Sequence, residues 1–524
     1  MGIAAACFAV TGCPKSNGSG SSSGGGASVA RDVPLVDFPA GCDEAIVQAL
    51  KGATKTMNVT AYASRGIPRL EPAVDRLRGQ LAHVQKVAGD RFTYRVVEMA
   101  TPADANAARA AGCVAAAYDV AADGDVHSED GFMCVAFDYA GTRDVIKLLS
   151  AQRIDDDAFW FTAKFRALRG KADGTRRQVG MLTSRGAIKL TETNLVPVSV
   201  GKVSVAKIFA QQFDAIDLVE VDLKNGDGEI DGALDGLIVT QPSSDLNEKE
   251  LQRIDAFVMK GKSLAVFASA VNVKGNDPLF APTLGAHGLE RLLAGYGIEM
   301  QNNAIIDYGR GVRLHMEPAA KGERGRSAHF PEMVEIAPDV RFSGNAQLLD
   351  TTFAPFARIP KVTAPFASAL VLHPEKQPGA KVQAVLRTTP IAEAQTGKLD
   401  FAPTRTWKAP DAPQQFVVGA SAVGKLTSAF GPGASAKEAR VFVLASSQFF
   451  ANPFVRATDG RGPDSKNPDE LVTLGSLYST SVLTNTLLVL KNTVDWMSGD
   501  DAAAQCALPV AGSGNQIDEN SAPP

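Results

Sequence analysis

Cysteine is sparse in this chain of 524 residues, and what its pattern lacks already excludes chemistry. Cys7, Cys13, Cys42, Cys113, Cys134 and Cys506 contain no C-x-x-C pair, so neither a thiol-exchange motif on a helix N-terminus nor a zinc ribbon is present. Six histidines are scattered without H-x-H or H-E-x-x-H spacing, and no metal or other cofactor is expected. Neither sign of charge dominates: 53 basic residues face 57 acidic ones, which gives no reason to expect a nucleic-acid partner. After the extreme N-terminus no apolar run reaches the ~18 residues of a membrane span, so no transmembrane helix is expected in the body of the chain. What the chain does have is length and 45% hydrophobic content, enough to bury more than one core.

Residues 1–13 read MGIAAACFAVTGC, a short apolar stretch closing on Val10-Thr11-Gly12-Cys13. This resembles a lipobox, and 1–13 is expected to be a lipoprotein signal segment with Cys13 as the lipid attachment site. An ordinary secretory signal or a clipped membrane helix is the alternative. A diacylglyceryl cysteine contributes about 0.8 kcal/mol per buried CH₂, and more than one acyl chain makes an anchor stable. Residues 14–39 are rich in Gly and Ser, too polar to order themselves, and are expected to form a flexible tether between the membrane and a folded body. Export to the bacterial cell envelope, facing the periplasm or the cell exterior, would expose Cys42, Cys113, Cys134 and Cys506 to oxidation, with Cys113–Cys134 the expected disulfide. Four buried thiols are the alternative.

Residues 40–175 alternate strand and helix signals. Met57 to Ala63 is a strand candidate, and Leu70, Val74, Leu77, Leu81 and Val84 then repeat at helical spacing behind Pro68 and Pro72. Phe92 to Met99 and Phe132 to Tyr139 read as strands, with an Ala-rich helix over 102–112 between them. This β-α-β-α-β order is that of a thioredoxin-like domain without the redox cysteines.

Residues 176–500 carry a second set. Arg177 to Thr183, Ile216 to Leu223, Leu237 to Gln241 and Ser263 to Ala268 read as strands, the last two continuously apolar as central parallel strands are. Helices are expected over 203–212 and over 247–260, the latter capped by Asn247 with Glu250 and stopped by Gly261. A Pro- and Gly-rich stretch over 308–440 is expected to leave the sheet as irregular insertions, before a strand over Ala439 to Ala445. A final helix from Ser476 to Trp496 has Leu483, Leu487, Leu490, Val494 and Met497 along one face. Residues 501–524 are expected to be a disordered tail. The whole is α/β, its second domain doubly wound.

Several blocks also stand in a familiar order: DGLIVTQPSSDLNEKELQRIDAFVMKGKSLAVFAS (235–269), LERLLAGYGIEMQNNAIID (289–307), VQAVLRTTP (382–390), GKLTSAFGP (424–432), VFVLASSQFFAN (441–452) and NTLLVLKNTVDWMSGDD (485–501). The chain resembles GldG-like auxiliary components of ABC-type transport systems. That resemblance implies an N-terminal thioredoxin-like domain, a class I glutamine amidotransferase-like domain, and an ABC permease and ATPase as partners. Relatives commonly end in a transmembrane helix, which the lipid anchor is expected to replace here.

Three motifs invite chemistry and have plainer readings. Gly419 to Lys425 nearly fits a P-loop, but Leu426 stands where a Ser or Thr would hold Mg²⁺, which favours a turn between strands. Asp222 to Asp231 has the carboxylate density of a calcium loop without its spacing, which favours a solvated Gly-rich turn. On an amidotransferase-like fold the nucleophile position falls near Ser269, which has no flanking Gly and would need a base such as His287, the nearest histidine in sequence. A serine-dependent hydrolase or amidotransferase-like envelope enzyme is therefore the alternative to a non-enzymatic component. Ligands of open α/β sheets bind at the carboxyl ends of strands, which makes Thr240, Gln241, Ser243, Ser269, Asn272, Ser446 and Ser447 the candidate binding residues, suited to a neutral glycan or peptide.

Overall fold

Met57–Ser64 (β1) is buried along almost its whole length and organises the first sheet. It is flanked in sequence by Cys42–Leu50 (α1) and Glu71–Ala88 (α2); Leu70, at the N-cap of α2, and the helix's Val74, Leu77, Leu81 and Val84 are fully buried on one side, as their spacing predicts. Pro72 lies in the first turn of α2, where its missing N–H costs nothing. Phe92–Met99 (β2) pairs parallel to β1, then Pro102–Ala110 (α3) starts at a capping box made by Thr101 and Asp104. Ala116–Ala122 (β3) and Asp125–Gly131 (β4) form a separate hairpin that the sequence pattern does not announce. Met133–Tyr139 (β5) and Thr142–Ile146 (β6) complete a sheet of order β2-β1-β5-β6, against which Asp157–Asp173 (α4) packs Phe161, Phe165 and Leu168. Cys113 and Cys134, whose Cα atoms are 5.7 Å apart, bridge the segment after α3 to β5.

This computed structural model describes residues 35–506 apart from 40, 100, 123–124, 150–156, 193–194, 196–203, 214–215, 274–279, 317–324, 343–346, 403–404 and 455–467. Cys13, the signal segment and most of the tether lie outside the described residues.

The second half builds a nine-stranded sheet. Its parallel part comprises Arg177–Leu182 (β7), Ile216–Val221 (β8), Gly236–Thr240 (β9), Ser263–Phe267 (β10) and, late in the chain, Ala439–Leu444 (β22). Between them run Val205–Gln212 (α5), Glu248–Met259 (α6), the short pair Val271–Asn272 (β11) and Thr283–Leu284 (β12), and Leu289–Gly295 (α7). The excursion that follows holds Ile298–Met300 (β13), Ala304–Asp307 (β14), Gly311–Met316 (β15), Arg326–Ile336 (β16), Val362–Pro365 (β17), Leu370–Leu372 (β18), Ala380–Arg387 (β19), Ala392–Gln395 (β20) and Val417–Gly424 (β21). Of these, β15-β16-β17 and β14-β20 form small sheets of their own, while β13, β18, β19 and β21 extend the main sheet by antiparallel pairing.

The main sheet is covered on both faces. Leu237, Val239, Leu264, Val266, Val441 and Val443 meet α6 and α7; Ile238, Ala265, Phe267, Phe442 and Leu444 turn the other way, toward α5 and the long helix Pro468–Met497 (α8). As its sequence signals predict, α6 is closed by reciprocal bonds of 2.9 Å between Asn247 and Glu250. Among the described residues no helix is long and apolar enough to cross a membrane.

The chain beyond residue 500, expected as a disordered tail, instead begins with a helix, Asp501–Gln505 (α9), that packs on α1. Cys506 is disulfide-bonded to Cys42, amid Ala45, Ala158 and Ala502. Small residues permit this close approach, and Gly41 is one that must stay small: its φ is +84°, and a Cβ there would lie 2.7 Å from that of Gln505.

Candidate functional site

Parallel pairing brings the carboxyl ends of β9, β10 and β22 to one edge, and with them the seven candidate binding residues. Five are buried: Thr240, Gln241, Ser269, Ser446 and Ser447; Ser243 is exposed and Asn272 partly so. Thr240 Oγ1 donates to the Ile188 carbonyl (2.7 Å), Ser243 Oγ to that of Arg185 (3.0 Å) and Ser446 Oγ to that of Pro365 (2.7 Å). Gln241 is held at both ends, accepting from the Ser269 amide (2.9 Å) and donating to Asn272 Oδ1 (2.7 Å). Ser447 Oγ has no hydrogen-bond partner among the described residues.

Asn272 Nδ2 donates to the Gly285 carbonyl (2.7 Å), which fixes its Oδ1 as an acceptor; His287 Nε2, 2.9 Å away, is therefore a donor to it. The other ring nitrogen, Nδ1, lies 2.7 Å from Asp245 Oδ1. A chain Asp245–His287–Asn272–Gln241 thus ties the loop after β9 to the loop after β10.

This arrangement places His287 on Asn272 rather than on Ser269. The Ser269 hydroxyl donates instead to the Phe366 carbonyl (2.7 Å) and accepts from the Val271 amide (3.1 Å). Phe366 has φ +53°, uncommon for a bulky residue, and is kept there by that bond, by its own amide on the Glu332 carbonyl (2.9 Å) and by stacking on Phe401. A hydroxyl donating to a backbone carbonyl, with no imidazole to receive its proton, is not an activated nucleophile.

The P-loop-like segment is not a turn either: Gly419 to Gly424 lies inside β21, hydrogen-bonded between β19 and β22, and its amides have no freedom to cradle phosphate. Asp222 sits in a tight turn, accepting from Ser184 Oγ and the Lys224 amide (each 3.0 Å), and these bonds, the amide foremost, hold its carboxyl below the usual range. Among the described residues no cluster of three or more His, Cys, Asp or Glu side chains could hold a metal.

Sequence reasoning missed a charged cluster at the opposite, amino-terminal edge of the sheet. Arg166 of α4 reaches Asp495 (3.3 Å) and Asp500 (2.5 Å), and Arg177 at the start of β7 reaches the same two carboxylates (3.5 and 2.9 Å). Lys491, fully enclosed one turn before Asp495, bonds the Ala503 carbonyl (2.8 Å) and lies 4.8 Å from the Phe159 ring centroid. Its burial lowers the ammonium pKa, while Asp495 opposes that shift. The signal was present, since Lys491 and Asp495 interrupt the apolar run of the last helix four residues apart.

These features define a mixed α/β protein of several sheets whose parallel strand ends are laced together by hydrogen bonds. The chain belongs to the family described as ABC-type uncharacterized transport system, which matches residues 176–473, from the threshold of β7 into α8, and it is an auxiliary component of such a system. Among solved structures the mmIFT52 N-terminal domain is similar over 61% of this chain and 97% of its own, at 13% identity and a TM-score of 0.29. No curated protein matches the chain.

Proposed function

We propose that this protein is a non-enzymatic envelope lipoprotein, anchored through Cys13, that works beside the permease and ATPase of an ABC-type transport system. Membership of the transport family, over residues 176–473, carries the reading. The Gly/Ser tether supports it, because a coil of about 26 residues spans roughly 25–30 Å and would hold the body clear of the headgroups. The partners of Ser269 support the non-enzymatic role, since its proton is directed to a backbone carbonyl.

In this reading the first domain is thioredoxin-like in shape without redox chemistry, and the Cys113–Cys134 and Cys42–Cys506 bridges form on export. The second is an amidotransferase-like scaffold that has kept the sheet and lost the nucleophile. A glycan or peptide ligand at the carboxyl edge would meet Ser243 and Asn272, the candidate residues with exposure, while the buried ones hold the loops in place. Recovery of permease and ATPase subunits with the protein from mildly solubilised membranes is the result this function requires. Loss of membrane attachment in Cys13→Ser tests the anchor separately.

A further inference from the structure

At the amino ends of β7 and β8, the edge farthest from Thr240 and Ser269, a cavity of about 230 Å³ opens between the first domain and the second. Its wall is divided by chemistry. Trp160 and Ala163, one turn apart on α4, with Phe213 and Ile216 at the entry to β8, make one side apolar. Lys164, Arg166, Arg169, Arg177 and Lys491 line the other, against two carboxylates, Asp495 and Asp500.

Those carboxylates do not saturate the cations around them. Arg166 and Arg177 each direct two N–H groups at Asp495 and Asp500; Arg169 directs two at Asp173 and the Ala49 carbonyl. A guanidinium has five N–H donors and does not lose its charge, so each of the three retains donors with no acceptor among the described residues. Lys164 is paired with Asp144 (2.7 Å), which stands outside the wall. Counted with the carboxylates that pair with them, the four cations other than Lys491 face four, Asp144, Asp173, Asp495 and Asp500, so the excess is the Lys491 ammonium, and what the wall offers an anion is chiefly its uncommitted guanidinium N–H groups.

We infer that this cavity binds a small organic oxyanion, a carboxylate or phosphate head on an aromatic or short aliphatic body, with the head on Arg166 and Arg177 and the body against Trp160 and Phe213. The volume, equal to that of about eight waters, limits the ligand to about a dozen non-hydrogen atoms. Arg matches a planar or tetrahedral oxyanion bidentately, which is what three partly committed guanidinia around one space can offer. Because the wall draws on α4 from one domain and on β7, β8 and α8 from the other, a bound anion stiffens the junction between them.

Titration calorimetry on the oxidised, full-length protein tests this with phenyl phosphate, benzoate, inorganic phosphate and benzyl alcohol. Phenyl phosphate or benzoate should bind saturably, with inorganic phosphate and benzyl alcohol at least about tenfold weaker. Arg177→Gln should weaken the favoured anion by about ten- to a hundredfold, the range for losing a hydrogen bond to a charged group. If that variant fails to fold, Lys164→Gln serves instead, since its side chain at the wall keeps 25% of its surface exposed. Absence of saturable binding for both organic anions, or equal affinity in the folded variant, overturns the proposal; inorganic phosphate binding as well as phenyl phosphate overturns the role given to the apolar wall.

Discussion

Cys42 and Cys506 are bonded with their Cα atoms 4.5 Å apart, across 464 residues of chain. The bridge fastens α9, and through it the end of α8, to the first helix of the other domain. A crosslink closing so long a loop acts mainly on the unfolded chain, and removing one from a folded protein typically costs about 2–5 kcal/mol. Cys506→Ser should therefore lower the urea midpoint, and reducing the wild type, which also opens Cys113–Cys134, should lower it at least as far. A variant as stable as the oxidised wild type would leave the bridge without a structural role.

Asp500 combines two jobs that a single substitution can separate. One carboxylate oxygen caps α9 at the Ala503 amide (3.0 Å), and the other accepts from Arg166 and Arg177. Asp500→Asn keeps a good cap and removes the charge, leaving two mostly buried guanidinia short of an anion, so a loss of about 3 kcal/mol is expected. Burial alone would raise the Asp500 pKa, but the two arginines and the Ala503 amide outweigh it and hold the carboxyl below its usual range. Stability from this group is thus present above the ordinary carboxylate pKa and lost as pH falls through the depressed one. Wild type should lose stability relative to Asp500→Asn on acidification below about pH 4, and a constant difference down to pH 2 would refute the linkage.

Glu332 predicts the opposite slope. It is completely buried on β16, its Oε2 has no hydrogen-bond partner among the described residues, and burial pushes its carboxyl up to about 8. Between the ordinary glutamate value and about pH 8 the folded protein keeps a proton that the unfolded chain has released, so stability falls with rising pH by up to about 1.4 kcal/mol per unit. Glu332→Gln should flatten that slope and, at pH 7, gain up to about 3 kcal/mol. Denaturation at several pH values from 5 to 8.5 measures it; parallel curves for the two proteins would show that the group does not titrate as described.

Ser269→Ala removes a donor from the Phe366 carbonyl and should cost about 1–3 kcal/mol as an unsatisfied buried acceptor. Fluorophosphonate labelling should be absent from both proteins. Labelling of the wild type that disappears in Ser269→Ala would establish the serine as a nucleophile and restore the enzyme reading.

Much of this fold was legible because local signals agreed with tertiary context. Val74, Leu77 and Leu81 declared one face of a helix, Asn247 and Glu250 its cap, and the unbroken apolar run Leu237 to Val239 a strand with helices on both sides. Residues 501–506 were misread as part of the tail because a five-residue Ala-rich helix has little intrinsic stability; they are held by the Cys42–Cys506 bridge and by packing on α1, contacts more than 450 residues away that no local window contains, while 507–524 lie outside the described residues. The strand at Gly419–Gly424 was misread as a turn because its small residues carry weak strand preference, and the sheet imposes what propensity does not. Residue types at the strand ends were legible, but their partners were not: nothing in sequence separates Ser269 bonded to a histidine from Ser269 bonded to the Phe366 carbonyl.

Membership of a working transport assembly is tested most directly by purifying the tagged protein, expressed at native level, from membranes solubilised in mild detergent. Permease and ATPase subunits should be recovered with it in near-stoichiometric amounts, and Cys13→Ser should lose both them and the membrane. Recovery of the protein alone, with the permease and ATPase left in the unbound fraction, would contradict a role beside them.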